Sequence, residues 1–248
     1  MDVTKEGDGP PVLLLPGLGC DDRLWAAVGS RLRERFTVLY PHTWGRSSLS
    51  DTAGELAELV DREAGGIAGV AGLSMGGYLA LELLRTAPEK VRALALVDTT
   101  AFPDDPERVE TRRRVLRLLG EGRFPEVLGA FAASVLAPSR AAEGPVLDLV
   151  LDMGRALGPG VFAAGVEAIL QRTPFEDVLR LIRVPTLVLC GAHDTLTPPD
   201  VARRMAAQVP GARLEIVPDA GHLTPLENPE AVATALAALF GGVWGGRG

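Results

Sequence analysis

A serine hydroxyl attacks a carbonyl only when it stands in the open and a neighbouring base takes its proton. Gly72-Leu73-Ser74-Met75-Gly76 offers such a serine. The apolar run Ile67 to Ala71 leads into it, and the helical pattern Tyr78 to Leu84 follows. A G-x-S-x-G pentad needs this strand, sharp turn and helix, with glycines where larger side chains would strike neighbouring backbone. The helix that begins after Ser74 also aims backbone N–H groups at the reacting centre, where negative charge develops.

The chain has three histidines, His42, His193 and His222. His222, in Gly221-His222-Leu223, lies just past the last strand-like run, where a loop at the carboxyl edge of a sheet can bring an imidazole to Ser74. It is the expected general base. The acid that orients it is expected at Asp194, directly after a buried strand. Asp98, at the end of Leu94-Ala95-Leu96-Val97-Asp98, is the rival, and Asp219 stands so close to His222 along the chain that a turn role suits it better. Two N–H donors for an oxyanion are expected from Met75, after the nucleophile, and from Leu18 in the loop after the first strand. Gly17 and Leu18 there are expected to touch substrate. His193 beside Asp194 has no second His or Cys at ligand spacing, so no metal is expected. His42 reads as a loop residue that could line the pocket entrance, and Cys20 as a bystander.

These residues need a scaffold that brings strand ends together. Short Val-, Leu- and Ile-rich runs at Val12 to Leu15, Phe36 to Tyr40, Ile67 to Ala71, Val91 to Val97, Thr186 to Cys190 and Leu214 to Val217 alternate with helical patterns. That alternation predicts an α/β fold with a mostly parallel, doubly wound sheet. It stops between Asp98 and Arg183, where Glu107 to Leu119, Phe124 to Leu136 and Val146 to Leu157 are amphipathic without a strand. Residues 101–183 therefore read as a helical cap inserted in a core of residues 1–100 and 184–248. Gly and Pro punctuation predicts about four short helices in the insertion. Only about eleven residues precede the first clear strand, so the N-terminal part of the sheet is expected to be shortened. Gly241 to Gly248 reads as a frayed tail.

Composition narrows the partners. Across 248 residues, 32 acids outnumber 25 bases for a net charge of −7, and the bases are scattered, so nucleic acid is not an expected partner. Two cysteines in a chain able to bury a large core imply no disulfide framework. The N-terminus lacks a signal-peptide pattern and no apolar run approaches bilayer length, which predicts a cytoplasmic protein without a membrane partner.

Together, Leu14-Leu15-Pro16-Gly17-Leu18, Gly72-Leu73-Ser74-Met75-Gly76-Gly77, Gly191-Ala192-His193-Asp194 and Gly221-His222-Leu223 resemble the α/β-hydrolase superfamily over nearly the whole chain. Within it the chain is similar to small capped carboxylesterases, the group with carrier-protein methyl ester esterases and 3-oxoadipate enol-lactonases. The resemblance implies a cap over the Ser74 pocket, an acyl-enzyme mechanism and no cofactor. It also implies a small-molecule ester, lactone or thioester substrate, free or borne on a carrier protein or CoA. Pro16 and Leu73 stand where many members have His, and neither change removes a backbone donor. Carbon–carbon hydrolysis and cofactor-free perhydrolysis are alternatives on the same residues, and a ligand receptor with a retained pocket is a third reading.

Overall fold

A computed structural model describes residues 1–142 and 144–244. Its centre is a seven-stranded sheet built from β1 (Val3–Glu6), β2 (Pro11–Leu15), β3 (Thr37–Pro41), β4 (Ala68–Leu73), β5 (Val91–Val97), β6 (Thr186–Gly191) and β7 (Arg213–Val217). They lie in the order β1-β3-β2-β4-β5-β6-β7. All pairings are parallel except β1 with β3. Every residue of β4 is buried, as a central parallel strand covered on both faces requires.

Successive side chains of a strand face opposite sides, and the core divides accordingly. Leu13 and Leu15 join the cluster with α2 (Leu49–Ala64) and α3 (Met75–Thr86), and Val12 and Leu14 join the one with α1 (Ala26–Leu32). Helix boundaries follow local chemistry. Ser48 caps α2 by accepting from the N–H of Asp51, and Gly65, at φ 64°, closes it in the left-handed region.

The chain runs from β2 outward to β3 and then returns to the other side of β2 for β4. The carboxyl ends of β2 and β4 thus flank a switch point, where crevices form in such sheets. The loop after β2 carries Gly17 and Leu18, and the turn after β4 carries Ser74.

Among the described residues, the elements between β5 and β6 are helices: α4 (Pro106–Gly120), α5 (Phe124–Val135), α6 (Pro145–Gln171) and α7 (Glu176–Leu181). Asp105 caps α4, accepting from the N–H of Arg108, and Pro106 starts the helix where no N–H is needed. Helix α6 is long and apolar enough by length and composition to cross a bilayer, contrary to the expected absence of such a run. It is broken at Gly158, φ 79°, ahead of Pro159. Each half has about thirteen residues and a length of roughly 20 Å at 1.5 Å per residue, short of the ~30 Å hydrocarbon thickness. Val150, Met153, Phe162, Val166 and Ile169 of α6 are buried in this fold.

Strand β1 was not foreseen. Val-Thr-Lys-Glu has one apolar residue and no side chain fully buried, because an edge strand is held by its main-chain pairing with β3 more than by side-chain burial. The segments not yet placed are α8 (Pro199–Ala206) between β6 and β7, α9 (Thr224–Glu227), and the closing α10 (Pro229–Trp244). Of the expected frayed tail, Gly241 to Trp244 belong to α10, and residues 245–248 lie outside the described ones.

Candidate active site

Ser74 occupies the one-residue elbow between β4 and α3, with φ 52° and ψ −113°. A non-glycine residue in that region stores roughly 1–3 kcal/mol of strain and persists only where its surroundings hold it. Here they do. The Ser74 N–H donates to the Val97 carbonyl at 3.0 Å, and the Ser74 carbonyl accepts from the Gly77 N–H at 2.9 Å and the Thr99 hydroxyl at 2.7 Å. The flanking glycines are steric necessities. A Cβ on Gly72 would fall 2.1 Å from the Gly76 carbonyl oxygen, and one on Gly76 would fall 2.3 Å from that of Leu15.

The structure brings Ser74, His222 and Asp194 together from three strand ends. Ser74 Oγ lies 2.9 Å from His222 Nε2, and His222 Nδ1 lies 2.8 Å from Asp194 Oδ2. Ser74 is partly exposed, while His222 and Asp194 are buried. Asp194 is held in turn by the N–H groups of Leu196 and Thr197 on Oδ1 and the Thr197 hydroxyl on Oδ2, at 2.7–2.9 Å. That hydroxyl also approaches His222 Nδ1, at 3.3 Å.

Burial works to push the imidazole of His222 down, but the charge of Asp194, its hydrogen bond, and the charges of Asp98 and Glu227 outweigh it and raise the ring above its ordinary value. For Asp194 burial works upward, and the charge and hydrogen bonds of His222 and Thr197 hold the carboxyl below its ordinary range. The two directions agree: the pair is stabilised as imidazolium and carboxylate.

Met75 is the first residue of α3, so its N–H has no intrahelical carbonyl one turn back. Leu18 N–H has no acceptor among the described residues. The loop that carries it passes over the elbow, for a Cβ on Gly17 would stand 3.4 Å from Ser74 Cβ. Ser74, His222, Gly17 and Leu18 line one cavity of about 820 Å³. Its further walls come largely from the helices between β5 and β6, with Val127 and Phe131 from α5 and Phe162, Val166 and Ile169 from α6. Phe131 and Phe162 meet edge to face at 5.2 Å between centroids.

The rival acid Asp98 does not touch the imidazole. Its Oδ1 accepts from Gly191 N–H at 2.9 Å, and its Oδ2 accepts from the N–H and hydroxyl of Thr224 at 3.1 and 2.7 Å. Burial, with the charge of Asp194, pushes its carboxyl up to about 8. Asp98, Cys190 and Asp194 cluster within 4.8 Å, yet all four carboxylate oxygens already accept from protein N–H or O–H groups. Asp219 is exposed at φ 55°, in keeping with a turn. His193 is exposed, and His42 stacks on Trp44 outside the cavity rather than at its entrance. Cys20 is buried, its thiol pushed up to about 12 by burial and the charge of Asp21.

Two residues near the site escaped the sequence reasoning. Thr197 braces Asp194, and Glu227 accepts from Gly221 N–H and Ala137 N–H, both at 2.8 Å. Neither stands in a spacing that announces a role, although Glu227, five residues past His222, is a buried charge in need of partners.

Residues 12–235 match the model of the Alpha/beta hydrolase family. The chain is 28% identical over 248 residues to the pimeloyl-[acyl-carrier protein] methyl ester esterase of Nitrosomonas europaea, covering 96% of this chain and 98% of that protein. A thermophilic esterase from Thermogutta terrifontis has a similar structure, with a TM-score of 0.92, 30% identity, and coverage of 98% of this chain and 93% of that one. The enol-lactonase from Burkholderia xenovorans LB400 shares the fold, with a TM-score of 0.86 at 24% identity over 96% and 93% of the two chains. With its sheet order and strand–elbow–helix geometry in accord with that match, the chain belongs to the alpha/beta hydrolase family.

Proposed function

We propose that the protein is a serine hydrolase that cleaves a carboxylic ester, lactone or thioester of a small to medium apolar acyl compound through an acyl-enzyme intermediate. The observation that carries this reading is the contact chain Ser74 Oγ to His222 Nε2 to Asp194, at 2.9 and 2.8 Å, on the wall of a cavity of about 820 Å³. The esterase names borne by the relatives favour the same class.

In this mechanism Ser74 Oγ attacks the acyl carbon as its proton passes to His222 Nε2, and Asp194 accepts the Nδ1–H and stabilises the imidazolium. The oxyanion takes hydrogen bonds from the N–H groups of Met75 and Leu18. The proton on Nε2 goes to the leaving oxygen or sulfur. Water, deprotonated by the same nitrogen, then attacks the acyl-Ser74 ester, and the proton returns to Ser74 as the acid departs.

Residues 101–183 serve as the cap and residues 1–100 and 184–248 as the core. Phe131, Phe162 and Val166 of the cap give an apolar acyl chain a wall to bury against, while Arg108, Arg112 and Glu126 line the same cavity and can meet a polar part of the substrate. That acyl group arrives free or borne on a carrier protein or CoA.

The test is a panel of p-nitrophenyl esters, lactones and acyl thioesters offered to wild type and Ser74→Ala, together with a fluorophosphonate probe. Turnover and labelling confined to the protein with Ser74 are expected. A native, folded protein that neither labels at Ser74 nor turns over any of the three classes overturns the reading.

A further inference from the structure

The loop that carries His222 is held by groups that take no part in the chemistry. Each of its four consecutive amides has a partner. Gly221 N–H donates to Glu227 Oε1 at 2.8 Å, His222 N–H to the Val135 carbonyl at 2.9 Å, Leu223 N–H to Glu227 Oε1 at 3.4 Å, and Thr224 N–H to Asp98 Oδ2 at 3.1 Å. Both carboxyl groups also accept from main-chain N–H groups outside the loop. Asp98 accepts from Gly191, at the end of the strand that leads to Asp194. Glu227 Oε2 accepts from Ala137 N–H, just past the end of α5. The contact there is close: a Cβ on Gly221 would fall 2.4 Å from the Ala137 nitrogen.

We infer that Asp98 and Glu227 are a pair of positioning residues for His222, Asp98 locking its loop to the sheet and Glu227 locking it to the exit of α5. This rests on the hydrolase reading for its kinetic consequences only. A buried oxygen that accepts main-chain N–H groups fixes the backbone there, because losing it leaves those donors buried and unsatisfied. A misplacement of the order of 1 Å in a base costs about a hundredfold in rate. The seat of the imidazole accordingly depends on where α5 ends, so a change in the helices over the pocket is felt at the base.

The substitutions are chosen for the atoms they change. Glu227→Gln keeps one acceptor oxygen but turns an NH₂ either toward the Gly221 and Leu223 N–H groups or toward the Ala137 N–H, which breaks the tie on that side. Thr224→Val removes only the hydroxyl that donates to Asp98. The ionisable groups around the imidazole are Asp194 from the loop after β6, Asp98 from the end of β5 and Glu227 from α9. Ser74 and Thr197 face it with hydroxyls, and the Cys190 thiol lies behind Asp98 and Asp194. Loss of the Glu227 charge therefore moves the acid limb of the pH profile toward lower pH.

Both variants are compared with wild type for kcat, KM and pH profile on the best ester of the panel. The downfield proton NMR signal of the His222 Nδ1–H, assigned by its loss in His222→Gln, is followed in parallel. Expected are a fall in kcat of about ten- to a hundredfold with KM within about threefold, and a displaced or broadened Nδ1–H signal in both. Folded variants with kcat within about twofold of wild type, or with lowered kcat but an unmoved signal and limb, overturn the inference. If Glu227→Gln does not fold, Thr224→Val decides on the same criteria. A wild type without Ser74-dependent turnover sinks the hydrolase reading instead, and the NMR comparison, which needs no substrate, still decides this one.

Discussion

The chain holds two groupings of a hydroxyl, a histidine and an aspartate. In the inner one the imidazole separates its partners, with Nε2 on Ser74 and Nδ1 on Asp194. In the outer one, Thr4, His42 and Asp22, everything converges on one nitrogen. Thr4 Oγ1 lies 3.1 Å from His42 Nε2, Asp22 Oδ2 lies 3.4 Å from the same atom, and the hydroxyl donates straight to the carboxylate at 2.9 Å. A proton leaving Thr4 has no ring to cross. The outer threonine stands on exposed edge strand β1, far from any strained elbow, and its histidine is half-buried. Residue types alone make no nucleophile; the order of atoms and the enclosure do.

The sharpest way to break this contrast is at the hydroxyls. Ser74→Ala is expected to lower kcat by about 10⁶-fold, as removal of a nucleophile does when the group acts as a unit. Thr4→Ala is expected to leave kcat within about twofold. Steady-state kinetics on one ester reads both, and comparable losses in the two would erase the distinction.

The aspartates come next. Asp194→Asn retains shape but disfavours the imidazole tautomer with its proton on Nδ1, and kcat should fall about 10⁴-fold in a protein that still folds. A retained rate there, with a lost rate in Asp98→Asn, would hand the orienting role to Asp98.

Much of this was legible in the chain, and the limits have physical causes. Ser74, Asp194 and His222 each follow an apolar run bounded by glycine or aspartate, so strand ends could be found from periodicity, and parallel strands put such ends on one edge. The order of the elements followed from the same alternation. Asp98 and Asp194 look alike in sequence because both end buried strands. What separates them is a side-chain direction, toward Thr224 in one and toward His222 in the other. Strand β1 was hidden because an edge strand needs little apolar patterning. Glu227 was hidden because its partners are main-chain N–H groups, which have no sequence signature. The bend at Gly158-Pro159 was visible, whereas the continuation of α6 to Gln171 was not, since the second half packs by tertiary contact.

The pH profile tests the inner grouping from another side. In the proposed mechanism His222 must be neutral to accept the proton of Ser74, and its folded value is raised above 6.5, chiefly by Asp194, against the effect of burial. The acid limb of kcat/KM, which reports the free enzyme, should therefore have its midpoint above pH 6.5 in wild type. In Asp194→Asn the principal charge that raises the ring is gone, and the midpoint of the residual activity should move down. A wild-type midpoint below 6.5 would mean that burial prevails over the carboxylates.

The smallest effect is expected at Asp22, and its sign differs from that at Asp194. Burial raises the Asp22 carboxyl against the help of Thr4 and His42. One of its oxygens, Oδ1, is buried without a hydrogen-bond partner among the described residues. A carboxyl whose folded value lies above its unfolded value binds protons more readily when folded, so its contribution to stability declines as pH rises from about 4, the unfolded range. Asp194 is lowered on folding, and its contribution is present above that range and lost as pH falls below it through the lower folded value. Asp22→Asn removes the cost of a half-buried charge along with a hydrogen bond weakened by solvent. Near pH 7 the two changes should nearly cancel, leaving stability within about 1 kcal/mol of wild type and kcat unchanged. Thermal unfolding of Asp22→Asn from pH 4 to 8 measures this as a flattened difference from wild type. A loss of several kcal/mol, or of activity, would show that the outer grouping is coupled to the inner one through the loop after β2.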